Sequence, residues 1–358
     1  MTSTQTFSTL IEERAAKTTS IKCVVWDLDN TIWDGVLLED EHVTLRPGII
    51  ETLETLDRRG ILLSVASKND HATAMLKLEE LSLKRYFLYP QINWNTKSSS
   101  IRAIAKSLNI NVDTFAFVDD QPFELEEVGF EIPEVMCINA AKSADICSMP
   151  EMMPRFITDE SHQRREMYLS NIERNSAEKD FVGSNEEFLA TLGMTFTITL
   201  AQEEDLRRAE ELTIRTHQLN TTGYTYSYDE LNAFRCSHTH KLFVAGLEDK
   251  YGTYGKIGVT LVECHQDRWI VKLLLMSCRV MSRGVGTVMM NYIMNQAQKA
   301  GVRLLAEFIP NDRNRLMYVT YKFGGFKEVE RNDNLITFEA DLARIQPFPV
   351  YAELHVVE

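Results

Sequence analysis

The chain has 358 residues, of which 44% are hydrophobic and 25% are charged, a composition typical of globular proteins. Because single hydrophobic cores stop growing at roughly 250–300 residues, this length predicts two domains. The formal net charge of −14 argues against nucleic acid as a partner, and no apolar run approaches the ~20 residues of a membrane-spanning helix.

The cysteines and the N-terminal sequence indicate a reducing compartment. The six cysteines are scattered, with no Cys-x-x-Cys pair, which argues against a structural zinc site or a disulfide framework. Residues 1–22 lack the apolar core of a secretory signal, so we expect a cytoplasmic protein with no membrane partner. Residues 1–20 are predicted to be a leader, in which residues 6–18 fit either a short amphipathic helix or a partly ordered segment.

The first predicted strand ends in two aspartates. The apolar run 24–26 is typical of a buried parallel strand, and Asp27 and Asp29 follow at its carboxyl end, where α/β sheets place their chemistry. Two carboxylates two residues apart suit opposite tasks, since one can attack phosphorus while the other donates and recovers a proton. An ordinary acidic turn is the alternative, so the interpretation depends on the motifs that follow.

Polar residues also follow the next predicted strands and precede a helix. The apolar strands 61–66 and 114–118 each end in polar side chains, and a lysine stands ahead of a helix predicted at 101–108. A hydroxyl can bond a phosphate oxygen, and a lysine near a helix start adds a cation to the free backbone N–H groups. These residues are Ser67, Lys97, Asp119 and Asp120.

Five residues in this order resemble the haloacid dehalogenase-like phosphatase superfamily. They are Asp27, Asp29, Ser67, Lys97 and Asp119. The resemblance implies that Asp27 is the nucleophile and Asp29 the general acid and base, and that Ser67 and Lys97 hold the transferring phosphoryl group. Further candidates for substrate binding are Lys68 and Asn69.

The same resemblance implies a Mg²⁺ site. Its ligands would be Asp27, the carbonyl of Leu28, and Asp119 with or without Asp120. Mg²⁺ fits such a site because it takes few carboxylates together with phosphate oxygens. Asp29 is also included among the candidate metal ligands.

After residue 140 the sequence changes character. Residues 141–190 contain two Met-Pro pairs and then a charged helix, so they are predicted to form a helical connector. Alternation with period two at 195–200 predicts the first strand of a new domain, followed by a helix at 203–216. Later elements are strands near 241–247, 254–264, 269–279 and 302–309 and a helix at 285–299.

The predicted strand, loop and helix around Gly284 form the second focus. Gly284 and Gly286 at the helix start let backbone N–H groups close on a phosphate. Together with Asn314 and the segment 321–326, this region resembles the GNAT acyltransferase fold, which implies that coenzyme A or a pantetheine arm binds across the splayed strand. Met281 departs from the pattern of acetyl-CoA users and favours a carrier-protein pantetheine.

Cys278 lies about where this resemblance places the pantetheine thiol. A thiolate suits acyl transfer because it can hold an acyl group and pass it to another thiol, and the flanking Arg279 and Arg283 would favour the thiolate. A buried structural cysteine is the alternative. His217 is a candidate base or acyl-orienting residue, although a lone histidine is more often structural. Candidate binding residues are Gln218, Asn220, Thr222, Arg279, Arg283, Gly284 and Gly286.

Three motifs together resemble the FkbH-like glyceryl transferase family. They are the segments 26–33, 215–222 and 275–280. The resemblance implies a transferase of polyketide, hence antibiotic, biosynthesis that takes 1,3-bisphosphoglycerate and removes both phosphates. It would load the glyceryl unit on the phosphopantetheine thiol of an acyl carrier protein.

We therefore predict an α/β protein with a Rossmann-like haloacid dehalogenase-type parallel sheet domain followed by a GNAT-like mixed α/β domain. The predicted boundaries are 1–20 for the leader, 21–140 for the phosphatase domain, 141–190 for the connector, 191–345 for the acyltransferase domain and 346–358 for a C-terminal tail.

Our functional hypothesis is a bifunctional phosphatase and glyceryl transferase with an acyl intermediate on Cys278. Two alternatives stay open, namely a Mg²⁺-dependent small-molecule phosphatase whose GNAT-like domain only binds, and a non-catalytic adaptor for a carrier protein. Because carrier proteins are usually acidic, we expect a local basic patch on this acidic chain. The candidate residues for that patch are Arg207, Arg208, Arg279 and Arg283.

Overall fold

A computed structural model describes residues 20–357, which divide after Tyr168 into two compact units. The division lies inside the segment 141–190 that was predicted as a connector. The predicted leader falls, except for its last residue, outside the described residues. Within the described part of the chain, no helix is long and apolar enough to span a lipid bilayer.

The first unit is built on a parallel sheet. Its strands are β1 (Cys23–Trp26), β2 (Trp33–Asp34), β3 (Thr44–Leu45), β4 (Leu62–Ser67), β5 (Gln91–Ile92), β6 (Phe115–Asp119) and β7 (Met136–Asn139). β2 and β3 form a small antiparallel pair, and the others form a five-stranded sheet in the order β5-β4-β1-β6-β7. Trp26 of the central β1 pairs with Val65 and with Val118, so the apolar runs are buried between neighbouring strands as predicted.

Helices connect these strands and cover the sheet. They are α1 (Ile49–Arg58), α2 (His71–Glu80), α3 (Lys97–Leu108), α4 (Pro122–Glu131) and the short α5 (Asp159–His162). Lys97 is the first residue of α3, so the prediction of a helix beginning at residue 101 was wrong by one turn. The reason is the cap, because the Thr96 side chain accepts a hydrogen bond from Ser99 N and fixes the helix start there.

The second unit contains a larger mixed sheet. Its strands are β8 (Met194–Leu200), β9 (His240–Asp249), β10 (Gly252–Cys264), β11 (Arg268–Met276), β12 (Arg303–Phe308), β13 (Phe326–Asn332), β14 (Leu335–Ala340) and β15 (Ala352–Val357), and their order is β13-β14-β12-β11-β10-β9-β8-β15. Its helices are α6 (Arg164–Asp180), which begins before the division, α7 (Asn185–Ala190), α8 (Leu206–Arg215), α9 (Tyr228–Arg235), α10 (Val285–Ala300) and α11 (Arg315–Phe323).

Two sequence-based boundaries need correction in this unit. The strand predicted at 269–279 ends at Met276, and a 3₁₀ helix, Cys278–Arg283, follows it. The segment 346–358, predicted as a tail, contains β15, which pairs in parallel with β8. The second sheet therefore extends beyond residue 345, because an unpaired β8 edge would leave a row of backbone groups without partners.

β11 and β12 separate along their length. They pair in parallel only from Arg268 with Arg303 to Val271 with Ala306. Beyond that point the chain inserts the short segment 219–221 between them. Met276 N donates to Leu219 O (3.0 Å), Thr221 N donates to Leu274 O (3.1 Å), and Ile309 N donates to Thr221 O (3.0 Å). The gap in the sheet is thus filled by the loop between α8 and α9.

A buried ion pair anchors α6 within the second unit. Arg174 and Asp249 are both fully buried and form two hydrogen bonds, of 2.7 Å from Nε and 2.9 Å from Nη2. Arg174 also donates to Gly252 O (2.9 Å), and its guanidinium lies 3.9 Å from the ring centroid of Tyr254. Tyr254 in turn donates to Asp249 Oδ2 (3.0 Å). Among the described residues, each of the two is the ionic partner of the other.

The substitution Asp249→Asn should therefore destabilise the second unit strongly. It leaves the Arg174 guanidinium buried without its counter-charge, and breaking such a pair costs about 3–5 kcal/mol. The measurement is amide hydrogen exchange in β9 and β10 of the full chain. The control is Arg303→Ala, which breaks the exposed pair of Arg303 with Glu339 and should change exchange little. An equal rise in hydrogen exchange in the two variants would contradict the stabilising role of the buried Arg174–Asp249 pair.

Candidate active sites

Three carboxylates meet at the carboxyl edge of the first sheet. Asp27 follows β1, Asp119 ends β6, and Asp120 comes next in the chain. One oxygen of each lies within 4.8 Å of the others. Asp27 and Asp119 are buried and Asp120 is half-buried, so the cluster concentrates negative charge where water screens it poorly.

Lys97 supplies the cation of this cluster. Its Nζ donates to Asp27 Oδ1 and to Ala66 O (2.8 Å) and lies 3.3 Å from Asp119 Oδ2. The side chain is only 3% exposed. Burial disfavours the charged form, but attraction to Asp27 and Asp119 outweighs it, so the pKa of Lys97 is raised. One ammonium group thus faces three carboxyl groups.

The three carboxyl groups can carry more negative charge than the single positive charge of Lys97 balances. Burial, and then repulsion from Asp27, raise the pKa of Asp119 to about 7. The same two causes raise the pKa of Asp120. Asp120 Oδ1 is buried and accepts no hydrogen bond from another described residue. A divalent cation that prefers oxygen ligands, such as Mg²⁺, fits this donor set and would be held by Asp27, Asp119 and Asp120.

Asp29 is held apart from the cluster by its own hydrogen bonds. Its Oδ1 accepts from Trp33 Nε1 (2.8 Å) and Leu37 N (3.1 Å), and its Oδ2 accepts from Asn69 Nδ2 (2.9 Å). Burial raises the pKa of Asp29 more than these bonds lower it, which suits a group that must carry a proton.

These contacts correct several predicted roles in the first unit. Asp29 does not belong to the carboxylate cluster, because both of its oxygens are engaged elsewhere. The carbonyl of Leu28 accepts from the N–H groups of the turn at residues 31–33, so it is not directed at a metal. Asn69 contacts Asp29, and Lys68 pairs with Glu124 at 2.6 Å, so both are occupied within the protein.

Ser67 and Arg46 also lie near the carboxyl edge of this sheet. Ser67 is the last residue of β4, beside β1, and is buried. Arg46 Nη1 donates to Asn30 O (2.9 Å). The positive charge of Arg46 offsets a small part of the rise that burial and Asp27 cause in the pKa of Asp120. Sequence reasoning missed Arg46. Trp33 stands in the motif 26–33, but its hydrogen bond to Asp29 was not predicted.

In the second unit, two candidate residues flank the inserted segment and the strand that it pairs with. Asn220 forms an antiparallel bridge with Leu275, and the bonds of Leu219 and Thr221 continue the same register. His217 lies two residues before Leu219, and Cys278 lies two residues after Met276, at the start of the 3₁₀ helix that follows β11. Both residues are half-buried.

Asn220 and Thr222 build the loop instead of facing a ligand. Asn220 Oδ1 accepts from Thr222 N (3.1 Å) and Gly223 N (2.9 Å), and its Nδ2 donates to Tyr224 O (3.3 Å). Thr222 Oγ1 accepts from Tyr224 N (3.3 Å). Asn314 Nδ2 donates to Asn220 O (3.1 Å). Asn220 and Thr222 therefore have a structural role in the loop, and their ligand-binding roles stay predictions. Gln218 is half-buried in this loop and keeps its candidate role.

The predicted basic patch is not formed by the arginines assigned to it. Arg283 is 2% exposed and donates to Glu178 Oε2 (3.0 Å). Arg208 is also buried and donates to Glu211 (2.6 Å), which corrects its expected outward position. Arg279 donates to Tyr254 O (2.9 Å). Among the four, only Arg207 is fully exposed.

A small apolar cavity of about 130 Å³ lies beside the 3₁₀ helix that contains Cys278. Its lining includes Leu219, Met276, Val280, Gly284, Gly286 and Leu316. Gly284 has φ +70°, and a Cβ there would lie 2.3 Å from Tyr351 Oη, so this position requires glycine. Gly286 has no such restriction, since a Cβ would meet nothing closer than Thr320 at 3.9 Å.

Comparisons with known proteins found one family match and several similar structures. Residues 33–127 match the family described as haloacid dehalogenase-like hydrolase. The N-terminal part of protein BF1531 from Bacteroides fragilis, which contains a phosphatase domain complexed with Mg, is 33% identical over 36% of this chain and 39% of its own, with a TM-score of 0.31. No curated protein matches the chain.

Other similar structures are N-acetyltransferases. The ribosomal-protein-S18-alanine N-acetyltransferase from Escherichia coli is 15% identical over 41% of this chain and 93% of its own, with a TM-score of 0.33. The PaiA N-acetyltransferase from Thermoplasma acidophilum, in complex with coenzyme A, is 14% identical over 41% of this chain and 98% of its own, with a TM-score of 0.33.

Without divalent cation, the first unit should lose stability as pH rises from about 4 to about 7. Over this window Asp119 is protonated in the folded protein, with its pKa at about 7, and ionised in the unfolded chain, with its pKa near 3.8. The stabilisation that the protonated Asp119 gives the folded protein is complete below pH 3.8. It is lost as the pH rises through about 7. Asp119→Asn should remove this fall, as measured by hydrogen exchange in β1 and β6 with EDTA present.

Added Mg²⁺ should stabilise the wild type at pH 7.5 by about 2.7 kcal/mol at a concentration of 100 Kd. Asp119→Asn should reduce this gain, whereas the control Asp145→Asn, at an exposed position, should keep it. An unchanged pH slope and an unchanged Mg²⁺ response in Asp119→Asn would contradict the assignment.

Proposed function

We propose that the chain is a bifunctional phosphatase and acyltransferase that removes both phosphates of 1,3-bisphosphoglycerate and loads the glyceryl unit on an acyl carrier protein for polyketide biosynthesis. The observation that carries the proposal is one chain with two different sites. A carboxylate and lysine cluster surrounds Asp27, and in the second unit an apolar cavity lies beside the 3₁₀ helix that begins at Cys278. The match of residues 33–127 to haloacid dehalogenase-like hydrolases supports the phosphatase half.

Removal of the 3-phosphate would use the residues around Asp27. The Asp27 carboxylate, held by Lys97, attacks phosphorus, the ester P–O bond breaks, and Asp29 gives its proton to the departing alkoxide. Water then attacks phosphorus, Asp29 takes a proton from that water, and the bond between phosphorus and the Asp27 oxygen breaks, which releases inorganic phosphate and regenerates Asp27. Bound Mg²⁺ would screen the negative charges of the phosphate and the carboxylates from one another.

Transfer of the acyl group would use Cys278. Its sulfur attacks the carbonyl carbon of the acyl phosphate, His217 accepts the thiol proton, and the bond between that carbon and the phosphate oxygen breaks. The products are a thioester on Cys278 and free phosphate. The thiol of the carrier's phosphopantetheine arm then attacks the thioester and takes the glyceryl group, which returns Cys278 to its free form.

One observation favours a simpler phosphatase. The N–H groups of Leu274 and Met276, at the edge where a pantetheine arm would pair with the splayed strand, are already bonded to the segment 219–221. If that edge is needed for transfer, the second unit only binds substrate or partner. The two candidates differ in whether any carrier protein becomes acylated.

The substitution Asp27→Asn should abolish removal of the 3-phosphate, because the amide cannot form the aspartyl phosphate. Phosphate release from 3-phosphoglycerate with Mg²⁺ is the measurement, and Asp145→Asn is the control for the loss of one carboxylate. A fully dephosphorylated product from the Asp27 variant would contradict the nucleophile assignment.

The substitution Cys278→Ala should abolish loading of the carrier protein while leaving hydrolysis of the 3-phosphate intact. The measurement is the intact mass of several phosphopantetheinylated carrier proteins after incubation with enzyme, Mg²⁺ and freshly generated 1,3-bisphosphoglycerate. Cys264→Ala is the matched control, because Cys264 is also half-buried in the second unit. Unmodified carriers together with free phosphate from the wild type would favour the phosphatase.

A further inference from the structure

One face of helix α11 is both apolar and cationic. Arg315, Leu316, Val319, Lys322 and Phe323 recur at the spacing of a single helix face. Leu316 is 41% exposed and Phe323 is 79% exposed, while Arg315 and Lys322 are exposed beside them. The opposite face packs into the core through the two side chains Met317 and Tyr321.

This face adjoins the cavity that lies beside the 3₁₀ helix Cys278–Arg283. Leu316, Met317 and Thr320 of α11 line the cavity together with Val280 and Met281 of the 3₁₀ helix that begins at Cys278. The side chain of Met281 is 41% exposed. Exposed apolar groups at Met281 and Leu316 therefore form part of the cavity rim and continue into the helix face.

The charge of the face is opposite to that of the chain. The protein carries a formal net charge of −14, yet the nine residues of α11 contain two basic and no acidic side chains. The nearest acidic groups along the chain are Asp312, which lies 3.9 Å from Arg313, and Glu328, which accepts hydrogen bonds from Arg331 and also interacts with the charge of Lys322. Arg315 and Lys322 still outnumber the acidic side chains of the helix itself. An acidic surface would be attracted to this face and repelled by most of the chain.

The size of the cavity indicates what enters it. At about 130 Å³ it is smaller than the roughly 300–1,000 Å³ of pockets that enclose whole small molecules. It can hold the end of a thin arm, so the body attached to that arm must remain outside, against the rim.

We propose that the face of α11, with Met281, is the docking surface for an acidic protein domain that carries the acyl-accepting thiol arm. This inference rests on the proposed acyl transfer and adds the place where the partner binds. Phe323 and Leu316 provide the apolar contact, and Arg315 and Lys322 orient the partner through complementary charge.

The test is charge reversal with matched controls. Arg315→Glu and Lys322→Glu, singly and together, are compared with Lys299→Glu, which makes the same charge change at an exposed position near the end of α10. Binding of an acidic phosphopantetheinylated carrier protein is measured by fluorescence anisotropy, and transfer is measured to that carrier and to free pantetheine. The double variant should bind the carrier at least tenfold more weakly and depend less on salt, with transfer to free pantetheine unchanged.

Three results would overturn the docking surface. These are full-strength carrier binding by the double variant, an equal loss with Lys299→Glu, and a wild-type dimer in sedimentation that the double variant lacks, which would assign the face to a second copy of the chain. Failure of the proposed function is distinguishable, because the wild type would then transfer no glyceryl group to free pantetheine or to the carrier, while binding of the carrier is still measured directly.

Discussion

The first unit depends on a single buried ammonium group. Lys97 joins the start of α3 to the ends of three parallel strands, through Asp27 after β1, Ala66 in β4 and Asp119 in β6. Without this cation, two buried carboxylates would face each other in a medium that screens charge poorly. The same contact that holds the sheet edge together therefore also orients the residue proposed to attack phosphorus.

The second unit meets a different constraint, since parallel strands that separate leave backbone groups without partners. The segment 219–221 supplies those partners, and Asn314 fixes it from the other side. The segment is buried and multiply bonded, so it holds the loop that follows His217 against β11. Because this edge of β11 is already bonded, the proposed pantetheine arm would have to bind through side chains at the cavity. Leu316 of α11 is one of those side chains.

Much of the first site could be predicted because parallel strands bring their carboxyl ends to one edge. The apolar runs were readable, so Asp27, Ser67 and Asp119 could be placed there before any coordinates were known. The hydrogen-bond partners of Asp29 could not, since they depend on how a turn and a second strand end meet in space. Asn69 was predicted to bind substrate because of its position in the sequence, whereas in the structure it donates a hydrogen bond to Asp29.

The misassigned residues of the second unit share a cause. Arginine is normally exposed, and nothing near Arg283 in the sequence reveals that Glu178, on a distant helix, pairs with it. A three-residue segment such as 219–221 is too short to show any hydrophobic period. The strand β15 was overlooked for a related reason, because its pairing partner β8 lies far away in the chain.

That strand has a consequence for biosynthesis. The sheet of the first unit consists of strands contained within residues 23–139, so all of its pairing partners have emerged from the ribosome early. β8 pairs with β9 soon after both are made, but its other edge stays open until residues 352–357 appear. During synthesis the nascent chain therefore exposes an unprotected strand edge for most of the translation of the second unit.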